Sequence, residues 1–333
     1  MSTVKAVVIK SGDSKPRFIE NFSLREPAES EVRVKVLGTS IHHLVRMRAL
    51  GKHYSVSAND TSEKLIGIDG VGLIDDKQLV FFITLTPGTG SFAEYVNVDK
   101  RFIFPFPEEI TKDDTDAIAR VTTLSNPAMS SYLVFDSRLS QVIEPGFTVA
   151  INGVTGASGS LAAEIARKKY GASKVIGVGR SEDKLKALVE PKGLDAIIPL
   201  TDSDEEMTKK FSEFDVDVVL DYTWGKAAER TLLNLIKSRK DSTKLLSFVQ
   251  IGQIGGTDFN IPPGILRGHN LHILGSGLGS FTTRDAGKAF PDITAQLAKG
   301  QFGTDEKIET AKASDIEQEW DLWQPSARKV FTF

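Results

Sequence analysis

The stretch VAINGVTGASGSLAAEIARKKYGASKVIGVGR, residues 149–180, decides the fold of this 333-residue chain. Two short apolar runs without polar alternation, over residues 148–152 and 174–178, flank residues 160–170, which have helical spacing. Bare apolar runs are typical of strands that are buried on both faces of a sheet. We therefore expect two parallel strands joined by a crossover helix.

Three glycines lie in the turn between the first predicted strand and the helix. A glycine turn lets the backbone approach a pyrophosphate, whose charge is stabilised at the helix N-terminus. We therefore expect the turn to bind a dinucleotide, and a tight turn without a ligand is the alternative. The spacing departs from the commonest fingerprint, because Val154 stands where the first glycine would fall. The expected ligands are Gly153, Thr155, Gly156, Ala157, Ser158 and Gly159.

The end of the second predicted strand indicates which dinucleotide binds. NAD-binding proteins usually place an acidic residue there, whereas NADP-binding proteins place an arginine nearby for the 2′-phosphate. Here Arg180 ends the strand and Lys184 follows one helical turn later. Glu182 and Asp183 fall in the first turn of the next helix, where acidic residues favour the helix dipole. We predict NADPH rather than NADH, with Arg180 and Lys184 as ligands; a solvated surface charge is the alternative for Arg180.

The sequence on either side of this unit predicts two domains. Residues 1–100 contain short strands and turns, including a hairpin around Asp75 and Asp76. From Thr115 onward helical stretches alternate with bare apolar runs, and the final RKVFTF reads as a strand that returns to the N-terminal domain. We expect an α/β fold in which a doubly wound parallel Rossmann sheet occupies residues 119–280. A β-rich domain is expected over residues 1–118, completed by about 281–333.

The composition argues against several classes of protein. Charged residues make up 26% of the chain and the formal net charge is −3, so nothing favours nucleic acid or an anionic membrane as a partner. The absence of cysteine excludes disulfides and thiolate zinc sites. No apolar run approaches the ~20 residues that cross a bilayer, and the N-terminus lacks a signal-peptide pattern. We expect a cytoplasmic protein.

Short motifs follow one another along the whole chain. They are GIDGVG (67–72), GSFAEYV (90–96), RVTTLSNPAMSSY (120–132), the glycine turn, LDYTWG (220–225), VQIG (249–252) and GSGLGS (275–280). Their order and spacing resemble the medium-chain dehydrogenase/reductase superfamily, and above all its zinc-free quinone oxidoreductase and enoyl reductase branch. The resemblance implies a GroES-like catalytic domain beside the Rossmann domain. It also implies a homodimer, because residues 258–270 resemble the segment that often gives this family its edge strand for dimerisation.

The resemblance shows where zinc is bound in the zinc-dependent members. The matching positions here are His42, Ile68 with Asp69, and Asn126. Ile68 replaces the histidine ligand and cannot bind a metal, so we predict no metal site. Without zinc as a Lewis acid, hydride delivery to an α,β-unsaturated carbonyl or a quinone is easier than delivery to a ketone. Hydrogen bonds can hold the oxygen on which charge develops.

Catalytic candidates come from residues 38–55, which line the substrate cleft in this family. Tyr54 is the leading proton donor, although it falls one residue later than in the commonest pattern; a ring packed on the rim is the alternative. His42 is the second candidate, because a histidine titrates near neutral pH and can move a proton. A satisfied, partly buried histidine is its alternative. Arg46 and Arg48 are typical of a solvated helix face, with a grip on an acidic substrate as the alternative.

The resemblance places further residues near the cofactor. Thr123 and Asn126 match positions near the nicotinamide, although helix capping is the alternative for the threonine and Asn126-Pro127 is a plausible helix start. Either Asp221 or Tyr222 is expected to border the nucleotide. The later strand ends contribute Gln250, Gly252, Leu278 and Ser280.

These features together predict an NADPH-dependent, zinc-independent oxidoreductase. Its hydride acceptor would be a small α,β-unsaturated carbonyl compound or a quinone. The alternative is a non-catalytic NADPH-binding or redox-sensing protein of the same fold, because a fold alone does not establish an activity.

Overall fold

The computed structural model of the chain describes residues 2–53, 62–84, 88–277, 279–324 and 328–333. Its internal contacts divide the chain into two compact units, one of residues 1–126 and 290–333 and the other of residues 127–289. The chain passes between the units inside the helices Thr115–Leu133 and Thr283–Ala298, a few residues beyond the expected boundaries at 118 and 281.

The strands in chain order are β1 (Ser2–Ile9), β2 (Arg17–Leu24), β3 (Glu31–Ser40), β4 (Lys64–Leu65), β5 (Asp69–Ile74), β6 (Gln78–Ile83), β7 (Tyr95–Asp99), β8 (Ile103–Pro105), β9 (Thr148–Asn152), β10 (Lys174–Gly179), β11 (Ala196–Pro199), β12 (Val218–Asp221), β13 (Leu246–Gln250), β14 (Leu271–Gly275), β15 (Ile308–Lys312) and β16 (Arg328–Thr332). The α-helices are α1 (His43–Ala49), α2 (Thr115–Leu133), α3 (Ala157–Lys168), α4 (Glu182–Lys186), α5 (Val189–Lys192), α6 (Asp204–Phe211), α7 (Gly225–Ser238), α8 (Pro263–Gly268), α9 (Thr283–Ala298) and α10 (Ile316–Leu322).

The unit of residues 127–289 is built on a parallel sheet with the strand order β11-β10-β9-β12-β13-β14. Successive side chains of β9 enter two different cores: Val149 packs with residues of α3 on one face, and Ala150 packs with residues of α7 on the other. This arrangement confirms the doubly wound Rossmann sheet. The strand order reverses between β9 and β12, so the carboxyl ends of these two strands border the crevice where this fold binds ligands.

The other unit contains a three-stranded sheet, β2-β1-β4, and a seven-stranded mixed sheet, β15-β16-β3-β5-β6-β8 with β7 on β3. The predicted hairpin is β5–β6, whose turn residues Asp75 and Asp76 have φ angles of 52° and 54°. Two-residue hairpin turns of this kind require positive φ at both positions. The final strand, β16, pairs with β3 and so returns to the N-terminal part of the chain, as predicted.

The prediction that Asn126-Pro127 begins a helix is wrong. Pro127 lies inside α2, which begins at Thr115. The apolar face of the helix continues across the proline, since Leu124 and Ala128 are both fully buried, and this burial outweighs the backbone hydrogen bond that proline removes. Among the described residues, no helix has both the length and the apolar character needed to cross a membrane.

Candidate functional site

The backbone of the glycine turn ties it closely to the parallel sheet. Gly153 has a φ of 87°, and its amide donates to the Val178 carbonyl of β10 at 2.9 Å. A Cβ atom on Gly159 would lie 2.4 Å from the carbonyl oxygen of Gly153, so only glycine allows α3 to pack this closely on the turn. The helix begins at Ala157 rather than at the predicted Ser160.

The amino terminus of α3 is open to an anionic ligand. Gly156 is the N-cap and provides no capping side chain, and the first turn contains no acidic residue. The first backbone N–H groups of a helix have no intrahelical partners, and the helix dipole favours negative charge there. Val154, the departure from the common fingerprint, is fully buried in the core beneath the turn and leaves this face clear. The turn therefore fits the pyrophosphate of a dinucleotide.

Two unpaired cations stand at the carboxyl end of β10. Arg180 follows the strand directly and Lys184 lies in α4, and both residues are exposed. Neither side chain forms a hydrogen bond or an ion pair within the described part of the chain. The neighbouring Glu182 is paired with Lys186, at 2.9 Å. A free arginine fork at this position suits the 2′-phosphate that distinguishes NADP from NAD.

A buried polar network joins the carboxyl ends of β9 and β12. Asn152 and Asp221 are neighbours across these strands, and Asn152 Nδ2 donates to Asp221 Oδ1 at 2.9 Å. The same carboxylate accepts from the Thr223 hydroxyl at 2.8 Å and from the Trp224 amide at 2.9 Å. Burial raises the pKa of the Asp221 carboxyl. Asp221 is fully buried and shapes the loop after β12 from beneath, so of the two alternatives Tyr222 stays the one expected to border the nucleotide.

The sequence contains a signal for this network that is separate from the family motifs. A polar residue ends each of two bare apolar strands, Asn152 in β9 and Asp221 in β12. Because these strands are neighbours in the sheet, their last residues must meet. Their burial without a shared network would be costly, so each polar end predicts the other as its hydrogen-bond partner.

The predicted ligands at the later strand ends lie along the carboxyl edge of the same sheet. Tyr222 follows β12 and is partly buried; its hydroxyl lies 3.1 Å from that of Ser131, and burial raises its pKa. Gln250 ends β13, and its side-chain amide donates to the carbonyl of Gly252 at 3.0 Å. Ser280 follows β14, and Leu278 lies outside the described residues.

Two predicted ligands, Thr123 and Asn126, belong to the other unit, because both precede the crossing in α2. Thr123 is buried, and its hydroxyl donates to the Ala119 carbonyl one helical turn earlier, at 2.8 Å. Asn126 is partly buried. The structure thus groups the glycine turn, Arg180 and the strand-end residues on one sheet edge, and it places the two α2 residues in the unit that holds His42.

His42 and Asp69, at two of the positions that match zinc ligands in the family's zinc-dependent members, form a hydrogen-bonded pair. His42 Nε2 lies 3.3 Å from Asp69 Oδ1, and the two side chains are 13% and 3% exposed. The other ring nitrogen of His42, Nδ1, is buried and has no hydrogen-bond partner in the described part of the chain. Ile68 is buried in the core. No cluster of three or more His, Cys, Asp or Glu side chains suited to a metal occurs within the described ranges. Tyr54 lies outside them.

Arg46 does not lie on a solvated helix face, and that prediction is wrong. Its guanidinium lies over the rings of Trp320 and Trp323, at 4.2 and 4.9 Å from their centroids. Its Nη1 also donates to the Trp320 carbonyl at 2.6 Å. These contacts hold α1 against α10, a helix that the sequence did not predict. Local patterning could not reveal them, because the partners are 274 positions apart.

Comparison with known proteins places the chain in a family. No protein-family model matches it. The "Probable NADPH-dependent quinone reductase tdiC" of Emericella nidulans is 30% identical over 332 residues, which cover 88% of this chain and 89% of that protein. The chain belongs to the medium-chain dehydrogenase/reductase family, in its quinone oxidoreductase branch. Membership in this family confirms the resemblance seen in the motifs and the prediction of an oxidoreductase.

Solved structures share the fold of this medium-chain dehydrogenase/reductase. A quinone oxidoreductase of Pseudomonas syringae pv. Tomato DC3000 aligns over 99% of this chain and 100% of its own, with a TM-score of 0.75 and 17% identity. The structure of the Etr1p/NADP/crotonyl-CoA complex aligns over 100% of both chains, with a TM-score of 0.78 and 17% identity. At this level of identity the likeness is one of fold.

Proposed function

We propose that the protein is an NADPH-dependent oxidoreductase that transfers hydride to a quinone or an α,β-unsaturated carbonyl without zinc. The observation that carries the proposal is the pair of free cations, Arg180 and Lys184, at the end of β10 beside the open glycine turn. The name of the Emericella nidulans relative gives NADPH as its cofactor and a quinone as its substrate, which supports the same choice here.

Each part of the cofactor site has a defined task in this proposal. The open N–H groups of α3 hold the charge of the pyrophosphate, and the guanidinium of Arg180 binds the 2′-phosphate with Lys184 nearby. Gln250, Gly252 and Ser280, together with Leu278, Tyr222, Thr123 and Asn126, are proposed to border the remainder of the cofactor. When bound, NADPH supplies the hydride.

The chain itself must stabilise the acceptor's oxygen and provide a proton. With its Nε2–H donating to Asp69, the neutral His42 ring leaves Nδ1 as an acceptor, and protonation turns Nδ1 into a donor. We propose that this buried Nδ1–H binds the acceptor's oxygen and delivers the proton, while Asp69 orients the ring and stabilises its positive charge. The unsatisfied, buried state of Nδ1 supports this role. Tyr54 is proposed, from its place in the sequence, as a further donor.

The absence of zinc chemistry is proposed from the side chains at the former metal positions. Ile68 is apolar and buried where the family's zinc enzymes have a histidine, and His42 and Asp69 already bond each other. His42 and Asp69 are only two potential ligands, and a catalytic zinc requires three strong protein ligands. We expect turnover to survive dialysis against a chelator and to gain nothing from added zinc; loss of activity that zinc restores would overturn this part.

The test of the proposed function is the consumption of NADPH with a panel of quinones and enones, each paired with NADH as a control cofactor. We expect turnover with at least one acceptor class and a clear preference for NADPH. Binding of NADPH without turnover of any acceptor would reject the enzyme and favour the non-catalytic alternative.

A homodimer is proposed from the edge of the parallel sheet. Among the described strands, β14 is the last in the order and pairs on one side only, with β13. An unpaired strand edge can join the same edge of a second copy. Ile254 and Leu266, shortly before this strand, are 71% and 51% exposed. Sedimentation should show a dimer, and a monomer at micromolar concentration would reject the proposal. The cytoplasmic location stays a prediction.

A further inference from the structure

Three basic side chains lie along α1 and just beyond it: His43 at the first position of the helix, Arg48 in its last turn and His53 after its end. They are here called the α1 basic cluster. We propose that this cluster binds an anionic group of the hydride acceptor, so that the preferred acceptor is a quinone or enone that carries a carboxylate. This inference rests on the proposed function, because it names the class of substrate for the same reaction.

The backbone fixes the cluster's geometry. Helix α1 ends in a Schellman motif: Gly51 has a φ of 66°, and its amide donates to the Arg48 carbonyl at 3.1 Å. The Lys52 amide donates to the Met47 carbonyl at 2.8 Å. These two bonds reverse the chain immediately after the helix, and this reversal brings His53 back toward Arg48. Neither residue depends on a long flexible loop for its position.

Arg48 is a partly buried cation without a counter-ion. Its side chain forms no hydrogen bond or ion pair within the described part of the chain. Burial holds the pKa of Arg48 below its usual range. A half-buried, unpaired charge destabilises a fold, and a bound anion would offset that cost.

Arg46 has the partners that Arg48 lacks within the described residues. Arg46 lies two positions earlier on the same helix and has two tryptophan rings and a carbonyl oxygen as partners. Its contacts anchor α1 and so hold the backbone of Arg48, whose guanidinium has no partner within the described residues. A guanidinium without a partner presents a planar fork of donors that binds carboxylates in two-point geometry.

The neighbouring histidines complete a positive surface. Burial lowers the pKa of His53, and the charges of Arg48 and His43 lower it further. Burial also lowers the pKa of His43, followed by the charges of His42 and Arg46. The charges that contribute to these shifts come from basic residues, which make the field at the cluster positive. The neutral imidazole of His43 can donate an N–H group to the same anion.

The experiment compares two acceptors that differ only in charge: a naphthoquinone with a propionate side chain and its methyl ester. The wild type, Arg48→Gln and Lys52→Gln are measured with NADPH. Lys52 is an exposed cation four residues along the chain and serves as the matched control for loss of charge. We expect the wild type to prefer the acid by about tenfold in kcat/KM. Arg48→Gln should abolish the preference for the acid by raising its KM. Lys52→Gln should keep the preference.

Several results would overturn the proposal. They are equal use of acid and ester by the wild type, an equal loss of preference in both variants, and a raised KM for NADPH in Arg48→Gln, which would assign the cluster to the cofactor. A side-chain phosphate monoester as a third acceptor distinguishes the source of the anion: tighter binding than that of the acid would replace carboxylate by phosphate.

A binding measurement separates this proposal from the proposed function. The affinity for acid and ester is measured on the intact protein without NADPH, through quenching of tryptophan fluorescence by the quinone. If the wild type binds the acid more tightly than the ester and Arg48→Gln loses this selectivity, the result supports the cluster. That support holds even if no acceptor is turned over, which would reject only the proposed enzyme activity. Equal affinities in the wild type reject the cluster even if turnover is fast.

Discussion

The end of β10 and the surroundings of α1 differ in whether their charged side chains have partners. Arg180 and Lys184 have no partner in the described part of the chain and stand beside an open helix terminus. Around α1, His42 is paired with Asp69 and Arg46 is enclosed by two tryptophans. The first region is built by local backbone, and it is where we propose that NADPH binds. The second is held by contacts across the chain, and Arg48 has no partner among the described residues.

The backbone of the first region gives the largest expected effect. Gly159→Ala should lower the free energy of unfolding by about 2–3 kcal/mol and should weaken NADPH binding more than tenfold, because the new Cβ forces α3 away from the turn. Thermal unfolding and cofactor titration measure both. Gly156→Ala is the matched control: its Cβ would meet its nearest neighbour at 3.3 Å with an ordinary φ of −86°, and we expect a loss of stability below ~1 kcal/mol. Equal stability of the two variants would contradict the close packing.

The pair formed by His42 and Asp69 in the second region should control kcat. His42→Gln removes the proposed proton donor and should lower kcat about 100-fold, with little change in the dissociation constant of NADPH. Asp69→Asn keeps the ring but loses the carboxylate that orients it and stabilises its charge, so we expect a smaller loss, about tenfold. Steady-state kinetics over a range of pH checks both. An unchanged kcat in His42→Gln would assign the proton to another group.

Sequence patterning was sufficient for the first region and insufficient for the second. Glycine spacing, bare apolar runs and a cation at a strand end are local, so they predicted the turn, the parallel sheet and Arg180. Helix α10 and strand β15 were not predicted. Three of the five residues of β15 are polar or charged, and none of the five is buried. The tryptophans that hold Arg46 come from this missed segment, and no pattern near residue 46 indicates them.

The two arginines of α1 should differ in their contribution to stability. Arg46→Gln loses two cation–π contacts and a hydrogen bond to a carbonyl, and should lower the free energy of unfolding by about 2 kcal/mol. Arg48→Gln loses no partner and should change it by less than ~0.5 kcal/mol. Urea unfolding of the pair measures the contrast. A large loss in Arg48→Gln would show that this arginine has a structural partner.

The smallest expected effect is a change in a histidine pKa. Burial lowers the pKa of His53, and the positive charge of Arg48 lowers it further. Removal of that charge in Arg48→Gln should therefore raise the pKa of His53 toward the ordinary histidine value, as seen by NMR titration of the ring. Lys52→Gln provides the control for a general loss of positive charge. An unchanged pKa of His53 in Arg48→Gln would show that the two side chains do not interact and would contradict the α1 basic cluster.

The central claim is that a free arginine at the end of β10 selects NADPH, and its most direct test is a comparison of dissociation constants. NADPH and NADH are titrated into the wild type, Arg180→Ala and Lys186→Ala, a control that removes a nearby cation already paired with Glu182. We expect the wild type and the control to bind NADPH at least tenfold more tightly than NADH. Arg180→Ala should lose most of this preference through weaker NADPH binding alone. An equal affinity for NADPH in the wild type and Arg180→Ala would contradict the account.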